Sequence, residues 1–238
     1  MPEIRPYFRQ LLSGRDFATT NPLAQSMANN VYLIGDLDSK ECLVVDPAYH
    51  VDEIIEAAQR DEMTITGVLV SHYHADHIGG SMMGHTIDGL PQLLERMDVP
   101  IHAHQHELPW ITKTTGLTQD LMVGHDDGDE VTVGALTVQL LHTPGHTPGS
   151  QCFHVHGALV SGDTLFLDGC GRTDLPGSNS EEMYYSLRKI ASLPDHTVIF
   201  PGHRYSEHPF GDLKTIKAHN HVFRPQSVDQ WMQWFGAN

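Results

Sequence analysis

The stretch His72-Tyr73-His74-Ala75-Asp76-His77 offers three imidazoles and a carboxylate within six consecutive residues. Neutral imidazole nitrogens suit zinc or iron, and a carboxylate among them adds negative charge and can orient a bound water. The same residue types return three times further along: His146 in Leu141-His142-Thr143-Pro144-Gly145-His146-Thr147-Pro148-Gly149-Ser150, Asp163 in Val160-Ser161-Gly162-Asp163-Thr164, and His203 in Ile199-Phe200-Pro201-Gly202-His203. Each lies just beyond an apolar run, so rigid strand ends would carry the donors, and the adjacent glycines let backbone come close to the site. Metal binding is the one chemistry that explains all four motifs.

Other residues compete for attention. His102-x-His104-x-His106 has alternate spacing, which puts its members on one side of a short strand or splits them over its end; without acidic partners it does not read as a ligand set. His142, just before the second motif, is a candidate for orienting a ligand through its other nitrogen. Cys170 lies between two glycines and reads as a small packed residue rather than a nucleophile.

Strands must deliver these donors, and short β-branched runs supply them: Val31–Ile34, Cys42–Val45, Gly67–Val70, Val99–Ala103, Val131–Val133, Leu136–Leu141, Gln151–Val155, Ala158–Val160 and Thr197–Phe200. Helical spacing is predicted over Val51–Arg60, Leu90–Met97 and Ser180–Leu193, the last with Ser180 as its N-terminal cap. The segments Ser81–Thr86 and Trp110–Leu121 read as loops at the substrate mouth. No repeat and no Ser/Gly linker divides the chain, so one domain over residues 1–238 is expected. Its core would span about 30–203, followed by a short helical C-terminal tail over 208–238 that packs back through Trp231, Trp234 and Phe235.

The 238 residues carry 30 Asp plus Glu against 14 Lys plus Arg, a formal charge of -16, which repels phosphate backbones; nucleic acid is not an expected partner. Charges scattered through MPEIRPYFRQLLSGRDF deny it the apolar core of a secretory signal, and no apolar run is long enough to span a membrane. Three widely spaced cysteines, Cys42, Cys152 and Cys170, fit reduced thiols. A cytoplasmic protein with no membrane partner, acting on a small molecule, is the expectation.

The pattern His-x-His-x-Asp-His, then His, Asp and His, resembles that of the metallo-β-lactamase fold superfamily at all seven positions, from roughly Asn30 to His203. The resemblance implies an α/β fold, a four-layer αββα sandwich with the site at one edge of its two sheets. It also implies His72, His74 and His146 on one metal, Asp76, His77 and His203 on a second, and Asp163 bridging two divalent ions, zinc or alternatively iron. Two such cations lower the pKa of a bridging water and polarise a carbonyl, and Asp76 would hold the nucleophile in place.

Within the superfamily, the run Gly162-Asp163-Thr164-Leu165-Phe166-Leu167-Asp168-Gly169-Cys170-Gly171-Arg172 resembles glyoxalase II, a thioesterase group, and the persulfide dioxygenases. That resemblance implies substrate contacts from Arg172 and Tyr205. Arg172 has an equally open structural reading, an ion pair with Asp174, and Tyr205 could be a packing residue. The expected activity is a glyoxalase II-like metallo-hydrolase cleaving a small thiol ester. The alternatives are a mononuclear iron persulfide dioxygenase using His72, His146 and Asp163, and a lactonase.

Overall fold

The computed structural model describes residues 4–236. Two six-stranded sheets form its centre. The first has the order β1-β2-β3-β4-β7-β8, from β1 (Pro6–Leu12), β2 (Asn30–Asp36), β3 (Glu41–Val45), β4 (Thr64–Leu69), β7 (Ile101–His104) and β8 (Met122–His125). The second has the order β14-β13-β12-β11-β10-β9, from β9 (Glu130–Val133), β10 (Leu136–His142), β11 (Gln151–Val155), β12 (Ala158–Gly162), β13 (Val198–Pro201) and β14 (Gly211–Asp212). A small hairpin, β5 (Gly80–Met82) and β6 (His85–Ile87), stands apart from both.

The helices are α1 (Pro22–Met27), α2 (Val51–Arg60), α3 (Ala75–Ile78), α4 (Leu90–Leu94), α5 (Leu108–Thr115), α6 (Ser180–Ala191), α7 (Leu213–His219) and α8 (Val228–Phe235). Strand alternation sorts the apolar residues into three clusters. Leu43 and Val45 of β3 face Val138, Phe153 and Val160 in the gap between the sheets. Cys42 and Val44 point the other way, onto Ile54 of α2, Leu93 of α4 and Ile111 of α5. On the far side, Cys152 and Leu159 meet Leu187 and Ile190 of α6 and Trp231 of α8. Three apolar interfaces require four layers, α, β, β, α, as the resemblance implied.

Several expectations need correction. Asn179, not Ser180, caps α6: its side chain accepts from the backbone N–H groups of Glu181 and Glu182. Helix α4 ends at Leu94 instead of continuing to Met97. Much of the predicted loop Trp110–Leu121 is helical, because Leu108 to Thr115 form α5 and bury Ile111 against the first sheet's outer cluster. The tail is helical only in part, since β14 joins the second sheet before α7 begins. Trp231 is fully buried and donates from Nε1 to the Ser180 carbonyl at 2.7 Å, whereas Trp234 is exposed. Residues 237–238 of that tail lie outside the described residues.

Candidate metal centre

Strand β4 ends at Leu69, and the chain then turns through Ser71-His72-Tyr73-His74 into the single turn of α3, which carries Asp76 and His77. Gly79 closes that turn with φ +85°, and a Cβ there would come within 2.7 Å of the Gly89 backbone. On the second sheet, His146 lies in the loop between β10 and β11, Asp163 follows β12, and His203 follows β13. Gly202 lets the last two come together, because a Cβ on it would collide with Asp163 Oδ1.

All seven residues converge. His74 Nδ1 and His146 Nε2 are 3.0 Å apart, and His77 Nε2 and His203 Nε2 are 3.1 Å apart. Asp76 Oδ2 lies 3.4 Å from His203 Nε2. Asp163 spans the two groups, with Oδ2 at 3.6 Å from His146 Nε2 and 3.3 Å from His203 Nε2, and Oδ1 at 3.5 Å from His77 Nε2. These separations match the edge of roughly 3.3 Å expected of a tetrahedron with metal–nitrogen bonds of about 2.0–2.1 Å.

A metal also accounts for what protein donors leave undone. His72 Nε2 and Asp163 Oδ1 are fully buried without a hydrogen-bond partner, a costly state for two polar atoms aimed into one space. The protonation pattern points the same way. Burial and the neighbouring imidazoles hold His74 down at about 4, and burial lowers His72 and His146, so this group keeps its lone pairs free. At the other end burial is overcome by Asp163 and Asp76, which raise His77 to about 10. Asp76 is held low by His77 and His203 against its burial, and so is a carboxylate at neutral pH. Positive charge is wanted here, and two divalent ions would supply it.

Residues that sequence patterns did not reveal hold the donors in place. Asp46, buried beyond the end of β3, accepts from Ser71 N at 2.7 Å and from Ser71 Oγ, and pairs with His77 Nδ1 at 3.0 Å. Ser71 Oγ lies 2.9 Å from His72 Nδ1, so one carboxylate orients two imidazoles. Its backbone is left-handed, φ +53°, a strained state that these bonds stabilise. Asn29 donates from Nδ2 to Asp76 Oδ2 at 3.1 Å. Backbone carbonyls of Arg172 and Met27 accept from His146 Nδ1 and His203 Nδ1, both at 2.8 Å. Only Asp46 had a possible signal, an acidic residue directly after an apolar strand.

A cleft of about 750 Å³ opens onto the site, walled by Tyr73, Met82, Met83, Phe166, Arg172 and Tyr205. The β5–β6 hairpin contributes the two methionines, and Tyr73 stacks on Trp110 of α5 with ring centres 4.9 Å apart. Tyr205 stacks on His203 at 4.6 Å. The Arg172 guanidinium is held by both oxygens of Asp174, at 2.8 Å each, which is the ion-pair reading of that residue. Burial pushes the Cys170 thiol up to about 12, in keeping with a packed residue. His142 bonds the Pro148 carbonyl through Nε2 at 3.0 Å and stacks on His104, so it braces the ligand loop and not a ligand ring.

Two expected outcomes follow. Replacing Asp46 by Ala frees both His72 and His77 to rotate, and metal affinity measured by competition with a chelator should fall about 10–100-fold. Glu107, which accepts from Thr147 Oγ1 and from Gly149 N at 2.7 Å, braces the His146 loop from a buried position that raises its carboxyl from 4.5 to about 7. Between these values the unfolded chain releases a proton that the folded chain keeps, so stability falls as pH rises from 4.5 to 7, by about 3 kcal/mol. Urea unfolding of metal-free protein at pH 5 and pH 8 should show the wild type losing about 2–3 kcal/mol more over this interval than Glu107→Gln, since the histidine titrations are common to both.

Comparison with known proteins places this geometry. Residues 26–203 match the Metallo-beta-lactamase superfamily. "Probable metallo-hydrolase YqgX" of Bacillus subtilis is 33% identical over 76% of this chain and 87% of its own length. A hydroxyacylglutathione hydrolase of Aeromonas hydrophila is 31% identical over 82% of this chain and 69% of its own length. Among solved structures, ETHE1 from Myxococcus xanthus superposes with a TM-score of 0.77 at 28% identity, covering 96% of this chain and 89% of that one. Given a site assembled at all seven motif positions and relatives of these kinds, the chain belongs to the metallo-β-lactamase superfamily, in its glyoxalase II-like and persulfide dioxygenase-like branch.

Proposed function

We propose that the protein is a dinuclear metal-dependent hydrolase of a small thiol ester. The observation that carries this reading is the convergence of two three-residue groups, His72, His74, His146 and Asp76, His77, His203, all buried but for half-buried His74 and joined by Asp163, around the unpartnered atoms His72 Nε2 and Asp163 Oδ1. Each group would hold one ion, and Asp163 would contact both. Imidazole and carboxylate donors without thiolate suit zinc, and admit iron. Two bound ions would supply a hydroxide at neutral pH and polarise the scissile carbonyl.

The chain's own residues do the rest. The Asp76 carboxylate, oriented by Asn29, is an acceptor that can align the attacking water and take its proton. Tyr73, Phe166 and the Met82–Met83 hairpin form an apolar wall for the acyl portion. Tyr205 and Arg172 line the same cleft and are the substrate contacts we assign. With its fork occupied by Asp174, Arg172 does not offer a free cation to an anionic thiol such as glutathione. The preferred substrate is therefore a thioester whose thiol portion carries little negative charge.

Metal analysis with a panel of thioesters and lactones tests the proposal. Two zinc equivalents per chain, thioester cleavage without oxygen uptake, and a loss of kcat on Asp76→Asn of about 10²–10⁴-fold are expected. One iron per chain and oxygen consumption with a thiol persulfide would overturn it in favour of the His72, His146, Asp163 dioxygenase reading. Asp174→Ala should release Arg172 and lower KM for a glutathione thioester several-fold while changing little for an uncharged one.

A further inference from the structure

The metal centre uses five of the eighteen histidines. A second concentration lies where the end of β7 in one sheet meets the end of β10 in the other. His104 ends β7, His142 ends β10, and their rings stack at 3.6 Å with planes 6° apart. His106, two residues beyond His104, brings its ring centre to 4.9 Å from His104 and 5.8 Å from His142. One nitrogen of each lies within 4.8 Å of the others, the same kind of grouping as the two halves of the metal centre.

We propose that His104, His106 and His142 form a separate binding site for a borderline divalent cation of the zinc, copper or nickel type. Three imidazoles without thiolate select such ions over calcium and magnesium. The His142 Nε2–H donates to the Pro148 carbonyl at 3.0 Å, the outer hydrogen bond that fixes a ligating tautomer and leaves Nδ1 as a lone pair. His104 Nδ1 is engaged only by a long 3.3 Å contact from the His106 backbone N–H. Burial keeps both His104 and His142 neutral at physiological pH, so no proton has to be displaced from them.

The charged surroundings are compatible with a cation. Asp127 Oδ1 accepts from the His142 backbone N–H at 2.8 Å and from Lys189 Nζ at 2.5 Å, which compensates the ammonium. His102 Nδ1 meets His125 Nε2 at 2.9 Å, and His125 pairs with Asp129. A parallel stack is not itself a chelate, because a ligand ring points its nitrogen at the metal within its own plane. Binding must tilt the His104 and His142 rings apart, and exposed His106 completes the set from the solvent side. That makes this site weaker than the buried centre.

Position gives the site a consequence. The loop carrying His146 leaves β10 directly after His142, and Glu107, the residue after His106, bonds Thr147 and Gly149 within it. A cation bridging His106 and His142 would tie together both anchors of the loop.

The test uses protein whose buried centre is already filled. Equilibrium dialysis against zinc from 1 to 100 µM, with metal counted by mass spectrometry, should give wild type one further equivalent. His106→Gln should take it up at least 10-fold more weakly, and His156→Gln, on the turn at the opposite end of β11, should match wild type. Copper(II) added to the same filled protein should show nitrogen hyperfine structure by electron paramagnetic resonance that His106→Gln and His142→Gln weaken. Absence of the extra equivalent, or equal uptake by wild type and His106→Gln, overturns the proposal.

Discussion

Seven lone-pair donors, two of them carboxylates and all buried but for half-buried His74, converge on one space, and this electrostatic demand organises the molecule. Removed from water, such a set repels itself and leaves His72 Nε2 and Asp163 Oδ1 without partners. A cation held there would satisfy every member together. Asp163 and Asp76 raise the proton affinities of His77 and His203 against their burial, the same demand for positive charge expressed without an ion. The same demand explains why the outer bonds are so complete. Asp46, the Arg172 carbonyl and the Met27 carbonyl hold His77, His146 and His203 through the nitrogen that faces away from the centre.

The four-layer arrangement meets that demand with rigid parts. Donors from β4 and α3 come from the first sheet, and those from β12, β13 and the β10–β11 loop from the second, so the centre bridges the two halves of the core. Apolar packing between the sheets, through Leu69, Val138, Phe153 and Val160, fixes their separation. A donor placed by a packed strand end loses little further freedom on binding an ion, which is why the motifs favour such ends over long loops. Asp46 shows the cost locally, as a non-glycine residue in left-handed conformation.

Outside the donors, the site is shaped by what the cleft withholds. Its wall is apolar on the hairpin side, and its one arginine is paired with Asp174 across exposed surface. An exposed pair of this kind contributes little to stability, so its effect on charge in the cleft matters more than its effect on folding. The formal charge of -16 acts in the same direction, disfavouring anionic molecules at a distance.

The sequence by itself marked the seven residues that the structure brings together, because each motif is local: a strand end, a glycine and a His or Asp lie within a few residues of one another. The strand Gln151–Val155 and the helix Val51–Arg60 were legible to the residue for the same reason, as period and flanking signals sufficed. Helix α5 was not, since Leu108-Pro109-Trp110-Ile111 owes its form to burial of Ile111. Asp46, Asn29 and Glu107 act on partners 25 to 47 positions away, and even for Asp46, placed just after an apolar strand, no local pattern names the partner. Tertiary structure alone chose the ion pair for Arg172. It also stacked His104 on His142 from the other sheet, the partner that the alternating tract lacks in its own stretch of chain, because only packing of the two sheets brings these strand ends together.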